Sequence, residues 1–320
     1  MVRLKKVHPG VDLGYRRVRS GSGFRYTDAD GDALPADERE RVVALVIPPA
    51  WQDVWISAAP NGHIQATGVD EAGRMQYLYH PDWSARRDKG KYARALQLAE
   101  SLPRARGRVT TSLRREGLDR ERVLATAFRL LDQAAPRVGS ERYLAKHGSR
   151  GLTTLRRRDA AVEATVTSLR FPGKSGKQQS LEIDDAELAA VVALLIAGRP
   201  ASPLLAFERG RRRVPLTPKE VNAYVRTMTG GAFTAKDFRT LRGTILAAEA
   251  LAQIGAVDTK TQRKRAEVLA VKAAAEALGN TPTVAKSSYI DPRVFARYRQ
   301  GRMLDRTVSP ESAIRSLILG

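Results

Sequence analysis

Short apolar runs separated by turn-forming residues occupy positions 14–80. Val54–Ser57, His63–Thr67 and Met75–Tyr79 read as short strands, with Asn61-Gly62 and Gly73 supplying the turns between them. A Val42–Ile47 run followed by Pro48-Pro49 belongs to the same stretch. From Lys91 the period changes: Leu124, Ala127, Phe128 and Leu131 recur at helical spacing within 119–135, and Tyr92–Leu102 is helical in character. Strand-like segments return over 151–183 as GLTTLRR, AVEATVTSLRF and QQSLEI, with Pro172-Gly173 and Gly176 marking a tight connection around Lys174. Helix starts follow. Thr217-Pro218-Lys219-Glu220 has a capping threonine, proline at the first position and glutamate at the third. Thr234 and Asp237 open a long helix over Phe238–Ile254, another covers 260–278, and Thr281-Pro282, Asp291-Pro292 and Ser309-Pro310 open three more. Loops are expected near 171–178, 199–216 and 255–260. The expected fold is therefore α+β: a small β-rich N-terminal domain over 1–90, then a larger, mainly α-helical domain over 91–320 with a small antiparallel sheet. A hinge near 80–90 and a core role for Trp51, Trp55 and Trp83 complete the reading.

Charge sharpens this division. Of 320 residues, 55 are Lys or Arg and 34 are Asp or Glu, a net charge of +21. Residues 1–90 hold 13 basic and 12 acidic side chains, and residues 91–320 hold 42 and 22. The second part thus carries nearly all the excess, and a polyanion is the partner that such a field attracts. Runs such as Arg156-Arg157-Arg158 and Arg211-Arg212-Arg213 are open to two readings, contact with DNA or a solvated surface. With no cysteine, disulfides, thiolate chemistry and Cys-ligated metals are excluded. His8, His63, His80 and His147 are scattered and do not form a metal-binding pattern. The first residues resemble no signal sequence, and no run of 18 apolar residues occurs, so a cytoplasmic location without membrane association is expected.

FPGKSGK at 171–177 invites a nucleotide-binding reading. The full loop pattern requires glycine at 168, where Ser168 stands, and a helix after it, where QQSLEI follows. What remains is a lysine on a strand–turn–strand element among many arginines. Four further segments occur in order: PRVGSERYLAKHGSRGLTTL at 136–155, FTAKDFRTLRGT at 233–244, Asn280 within LGNTPT, and Tyr289 within SSYIDP. Taken together with FPGKSGK, the chain resembles the type IB DNA topoisomerases, specifically their short bacterial and poxvirus-like branch. IPPAW at 47–51, GHIQATG at 62–68 and GRMQYLYHP at 73–81 extend the resemblance over nearly the whole chain. It implies Arg137, Lys174, Arg239 and Asn280 as catalytic residues, Tyr289 as the nucleophile, and Gln76, Tyr77, Tyr79 and Tyr143 as DNA contacts. Alternation puts Tyr77 and Tyr79 on one strand face, which leaves a core role open to them. Two positions depart from the family pattern: Leu241 stands where an aromatic residue often occurs, and Asp159 where histidine often does.

The chemistry fits the residue types. A phosphodiester exchange needs an oxygen nucleophile, charge neutralisation on nonbridging oxygens and a proton for the departing oxygen. Tyr289 supplies the first, the planar donor forks of Arg137 and Arg239 the second, with a hydrogen bond from Asn280. Lys174 supplies the proton. Lys236, three residues before Arg239 and on nearly the same helical face, is an auxiliary candidate for proton transfer or phosphate holding. The resemblance implies a 3′-phosphotyrosyl intermediate, strand rotation and religation on double-stranded DNA, without ATP, required metal or cofactor. It further implies a nucleoid-associated monomer that closes as a two-lobed clamp. The competing readings are a tyrosine recombinase or integrase, which usually has a His-x-x-Arg box and a helical leading domain, and a non-catalytic architectural DNA-binding protein.

Overall fold

The computed structural model describes residues 2–71 and 73–320. The chain divides into two compact units, Met1–Gly90 and Lys91–Gly320.

In the first unit, β1 (Gly14–Ser20), β2 (Gly23–Thr27), β3 (Gln52–Ser57), β4 (Ile64–Val69) and β5 (Met75–Tyr79) form an antiparallel sheet in the order β2-β1-β3-β4-β5. Helix α1 (Ala36–Ala44) contributes Val42 to one face, where Leu34, Ile47, Val54, Ile56 and Ala66 make a core bordered by Tyr15, Tyr26, Trp51 and Leu78. The Val42–Ile47 run therefore begins inside this helix. Side chains alternate across a strand, so Trp55, between Val54 and Ile56, points to the other face. There the register aligns Arg16, Trp55, Thr67 and Tyr77 in one row. The tryptophans correct the sequence expectation: Trp51 borders the core, Trp55 is half-buried on the opposite face, and Trp83 stands edge-on to His63 with ring centroids 4.7 Å apart. Trp55 fits flat on this face because residue 14 is glycine; a Cβ there would lie 2.0 Å from the indole nitrogen.

Residues 81–90 are helical. They begin α2 (Pro81–Leu113). In the second unit α3 (Arg120–Ala134) is enclosed along most of its length, burying Val123 to Phe128, Leu130 and Leu131. Its Phe128 meets Phe238 edge to face at 5.4 Å. After α4 (Glu141–His147), strands β6 (Ala160–Glu163), β7 (Val166–Pro172) and β8 (Gln178–Asp184) form a three-stranded antiparallel sheet. AVEATVTSLRF, read as one strand, is two: Glu163 pairs with Val166 around a two-residue turn in which Ala164 adopts φ +50°. GLTTLRR, also read as a strand, contains a 3₁₀ turn at Leu152–Thr154. Helix α5 (Ala186–Ile196) leads to the 199–216 stretch, which holds the hairpin β9 (Ala206–Arg209) and β10 (Arg212–Pro215) instead of being all loop.

The remaining helices start where capping chemistry places them. Helix α6 (Pro218–Thr229) has the reciprocal Thr217–Glu220 box, with the Thr217 N–H donating to Glu220 at 2.9 Å. Helix α7 (Ala235–Ile254) opens at Thr234, whose N–H and hydroxyl donate to Asp237 at 2.8 and 2.9 Å. Helices α8 (Lys260–Ala277), α9 (Pro282–Ser288), α10 (Arg293–Arg299) and α11 (Pro310–Leu319) follow. Among the described residues no helix is long and apolar enough to cross a membrane.

Candidate active site

Arg239 sits in the second turn of α7 and is only 5% exposed, so its charge must be held by polar partners. Those partners are backbone carbonyls at two helix C-termini: Ala135 after α3, at 2.6 Å, and Leu278 after α8, at 2.8 Å. The negative ends of two helix dipoles therefore stand where a carboxylate would otherwise be needed. Its Nε is buried and unpartnered. Arg137 is the third residue after α3. Its Nη2 donates to the Gly279 carbonyl at 3.3 Å and closely to Oδ1 of Asn280. The turn at Leu152–Thr154 fixes the backbone of this arginine, since the N–H groups of Leu152 and Thr153 donate to the carbonyls of Arg137 and Val138 at 2.8 and 2.9 Å. Gly151 permits that approach; a Cβ there would lie 2.5 Å from the Arg137 carbonyl oxygen. Orienting Oδ1 of Asn280 toward Arg137 leaves its Nδ2 buried without a partner.

Tyr289 caps the C-terminus of α9, with its N–H donating to Ala285 at 2.9 Å. Its ring lies 5.0 Å from the Arg239 guanidinium carbon. The chain approaches α7 closely at Gly243, where a Cβ would meet the Tyr289 carbonyl oxygen at 2.8 Å and its Cβ at 3.1 Å. The Thr244 hydroxyl lies 3.2 Å from that carbonyl and accepts the Asp291 N–H at 3.1 Å, fastening both sides of the tyrosine to α7. Burial pushes the Tyr289 phenol up. The charge and hydrogen bond of Arg239, then the charges of Arg137 and Lys236, outweigh it and hold the phenol below its ordinary value. Burial likewise pulls both arginines down, Arg239 further through the charge of Arg137, while Tyr289 acts in the opposite sense on each. Among the described residues, neither arginine forms an ion pair with a carboxylate. The cluster is an uncompensated cationic pocket around one phenol, with an unused amide N–H beside it.

Arg137, Arg239, Asn280 and Tyr289 thus converge, although they come from four segments. Lys236 is exposed in the first turn of α7 and acts on the phenol through its charge. Lys174 does not touch the cluster: it is exposed in a short 3₁₀ turn between β7 and β8. Sequence reasoning missed Gln179 on β8, whose side chain packs between Gly173 and Gly279, and Gly243; a glycine inside a helical pattern was the available signal for the latter. Asp159, one of the two departures, is buried and bonded to Arg150 at 2.6 Å and to the Arg156 N–H at 2.8 Å, a structural role. Leu241, the other, is buried in the core.

The remaining expected residues lie elsewhere. Tyr143, half-buried on α4, stacks at a tilt on His147 with centroids 4.6 Å apart. In the first unit Tyr77 and Tyr79 lie on one face with nearly parallel rings 5.9 Å apart, and Arg87 lies over Tyr79 at 5.2 Å. Tyr77 is 46% exposed, which removes the core alternative for it. Gln76 turns the other way and donates to Asp70 at 2.7 Å.

The family described as the catalytic core of eukaryotic DNA topoisomerase I matches residues 80–305, and that of the N-terminal domain of bacterial DNA topoisomerase IB matches residues 23–70. The chain belongs to the type IB DNA topoisomerases. A DNA topoisomerase 1B from Acanthamoeba polyphaga mimivirus is 27% identical over 325 residues, covering 96% of this chain and 97% of the relative. The recombinase and architectural readings give way to this one.

Proposed function

We propose that Tyr289 attacks a phosphodiester of duplex DNA. The Tyr289 Oη–P bond forms, its proton passes to solvent, and the P–O5′ bond breaks as Lys174 gives a proton to O5′. The products are a 3′-phosphotyrosyl enzyme and a free 5′-hydroxyl, and the reverse attack reseals the strand after rotation. Arg137 and Arg239 hold the nonbridging oxygens, and Nδ2 of Asn280 donates one further hydrogen bond. The observation that carries this reading is the convergence of two guanidiniums lacking carboxylate partners and one unused amide N–H on a phenol held below its ordinary pKa.

Each phosphodiester is exchanged for another of similar energy, so no ATP is required. The guanidiniums supply the charge neutralisation that a divalent ion supplies elsewhere. In this reading the unit at 1–90 is a DNA-clamping domain, with Tyr77 and Tyr79, and less directly Gln76, at the duplex. The unit at 91–320 is the catalytic domain, with Tyr143 beside the strand. The enzyme acts as a monomer in the cytoplasm, on nucleoid DNA. Supercoiled plasmid of either sign is expected to relax in EDTA without ATP. An absolute requirement for Mg²⁺ or ATP on the same gel overturns the mechanism.

A further inference from the structure

The β6–β7–β8 sheet buries one face. From it Leu169, Phe171 and Ile183 enter the core and Leu181 packs against it, with Leu169 set opposite Leu181. The next pair along this face, toward the turn, is Phe171 with Gln179. A glutamine thus stands where the apolar row would continue. It is half-buried, while its neighbour Gln178 points to the other face and is exposed. For packing alone an apolar side chain would serve better, since a buried amide needs partners. The Nε2 of Gln179 makes only a long bond, 3.4 Å, to the Gln178 carbonyl.

Two glycines accommodate this side chain. A Cβ on residue 173 would lie 2.6 Å from Cγ of Gln179, and one on residue 279 would lie 1.9 Å from its Oε1. Gly279 requires glycine in any case for its φ of +58°. Gly173 does not. Its φ of −88° is open to any residue, and Gln179 is what a side chain there would meet first.

These glycines belong to the two segments that the proposed reaction must bring together. Gly173 precedes Lys174. Gly279 precedes Asn280, and its carbonyl accepts from Arg137 at 3.3 Å. At its base the β7–β8 hairpin is tied down by the Arg150 N–H, which donates to Pro172 at 2.7 Å. Beyond Pro172 the turn closes on itself, with the N–H groups of Gly173 and Gly176 donating to the carbonyls of Lys177 and Gly173 at 2.8 and 3.2 Å. Gln179 reaches from this turn to the Arg137–Asn280 side of the site. A proton donor must lie within hydrogen-bond reach of the departing oxygen. The stem of Lys174 is exposed and flexible, so its position is inherited from the turn that carries it. The geometry points to Gln179 as a positioning residue that sets Lys174 relative to the phosphate, an inference that rests on the proton-donor role proposed for that lysine.

Single-turnover cleavage of duplexes with oxygen or sulfur at the bridging 5′ position separates the two claims. With oxygen, the P–O5′ bond breaks as Nζ of Lys174 gives its proton to O5′. With sulfur, the P–S bond breaks and a thiolate leaves with little need of a proton. The sulfur duplex still requires the nucleophile and both arginines, so cleaving it at the wild-type rate reports an intact fold and pocket. Lys174→Ala should lose about 10²–10⁴-fold on oxygen and recover on sulfur. Gln179→Ala should lose about tenfold on oxygen through misplacement of the donor and recover on sulfur. Gln179→Met, which refills the space, should regain most of that loss. Gln178→Ala, on the other face, should match wild type on both duplexes. In religation Lys174 takes back the proton that it gives in cleavage. Gln179→Ala should therefore slow both directions alike and leave the covalently held fraction of oxygen duplex at equilibrium unchanged.

A rescued Lys174→Ala leaves the donor role standing. Beside it, the role of Gln179 is overturned by a Gln179→Ala that loses nothing, loses equally on both duplexes or shifts the covalent fraction, or by a Gln179→Met that regains nothing. An unrescued Lys174→Ala overturns the donor role, and the placement assigned to Gln179 falls with it.

Discussion

At the scale of single residues, the proposed site rests on Arg137 and Arg239 being held by carbonyls and an amide oxygen that cannot cancel their charge. Asn280 completes this arrangement with one donor facing inward. Asn280→Asp replaces that donor by a carboxylate beside Arg137, and its cleavage rate is expected to fall about 10²-fold or more. Asn280→His keeps an N–H and should lose far less; single-turnover assays on one duplex decide between them. The phenol provides a second check. Deprotonation favours attack, so the cleavage rate should rise with pH and level off below the ordinary tyrosine value near 10. Lys236→Ala should shift the pH at which the rate levels off upward while leaving the plateau rate nearly unchanged. Residue identities in this cluster were legible because five motifs occur in a fixed order. The contact of Gln179 with two glycines was not, since it depends on how a hairpin meets a helix end nearly one hundred residues later.

Elements carry these groups to one place by close backbone approach. Gly243 lets the Tyr289 segment lie directly on α7, so Gly243→Ala drives a methyl group into the Tyr289 carbonyl. A misplacement of about 1 Å costs roughly 10²-fold in rate. Alanine also raises helix propensity by about 0.5–1 kcal/mol, which offsets part of the strain. Cleavage should therefore suffer far more than the thermal midpoint, and calorimetry beside a cleavage assay tests that asymmetry. Helix starts were readable wherever Thr or Ser stood before Pro or three residues before an acid, as at Thr217 and Thr234. The β6–β7 turn was hidden because Ala164 adopts a left-handed conformation that alanine rarely takes, and no glycine advertised it. In β9–β10 the arginines masked the alternation by which strands are recognised.

For the whole molecule, the sequence already separated a nearly neutral β-rich part from a strongly basic helical one, and family membership makes duplex DNA the polyanion concerned. The continuity of α2 through residue 90 was not readable, because polar residues over 81–90 give no apolar period to follow. Everything proposed for the enzyme depends on one covalent bond. Protein trapped on DNA by denaturant, digested and mapped by mass spectrometry, tests it directly. The account predicts a 3′-phosphate end attached to the peptide bearing Tyr289, a free 5′-hydroxyl on the other fragment, and a Tyr289→Phe variant that binds DNA normally yet yields no adduct. An adduct on another residue or on a 5′ end, or an undiminished yield from Tyr289→Phe, would contradict it.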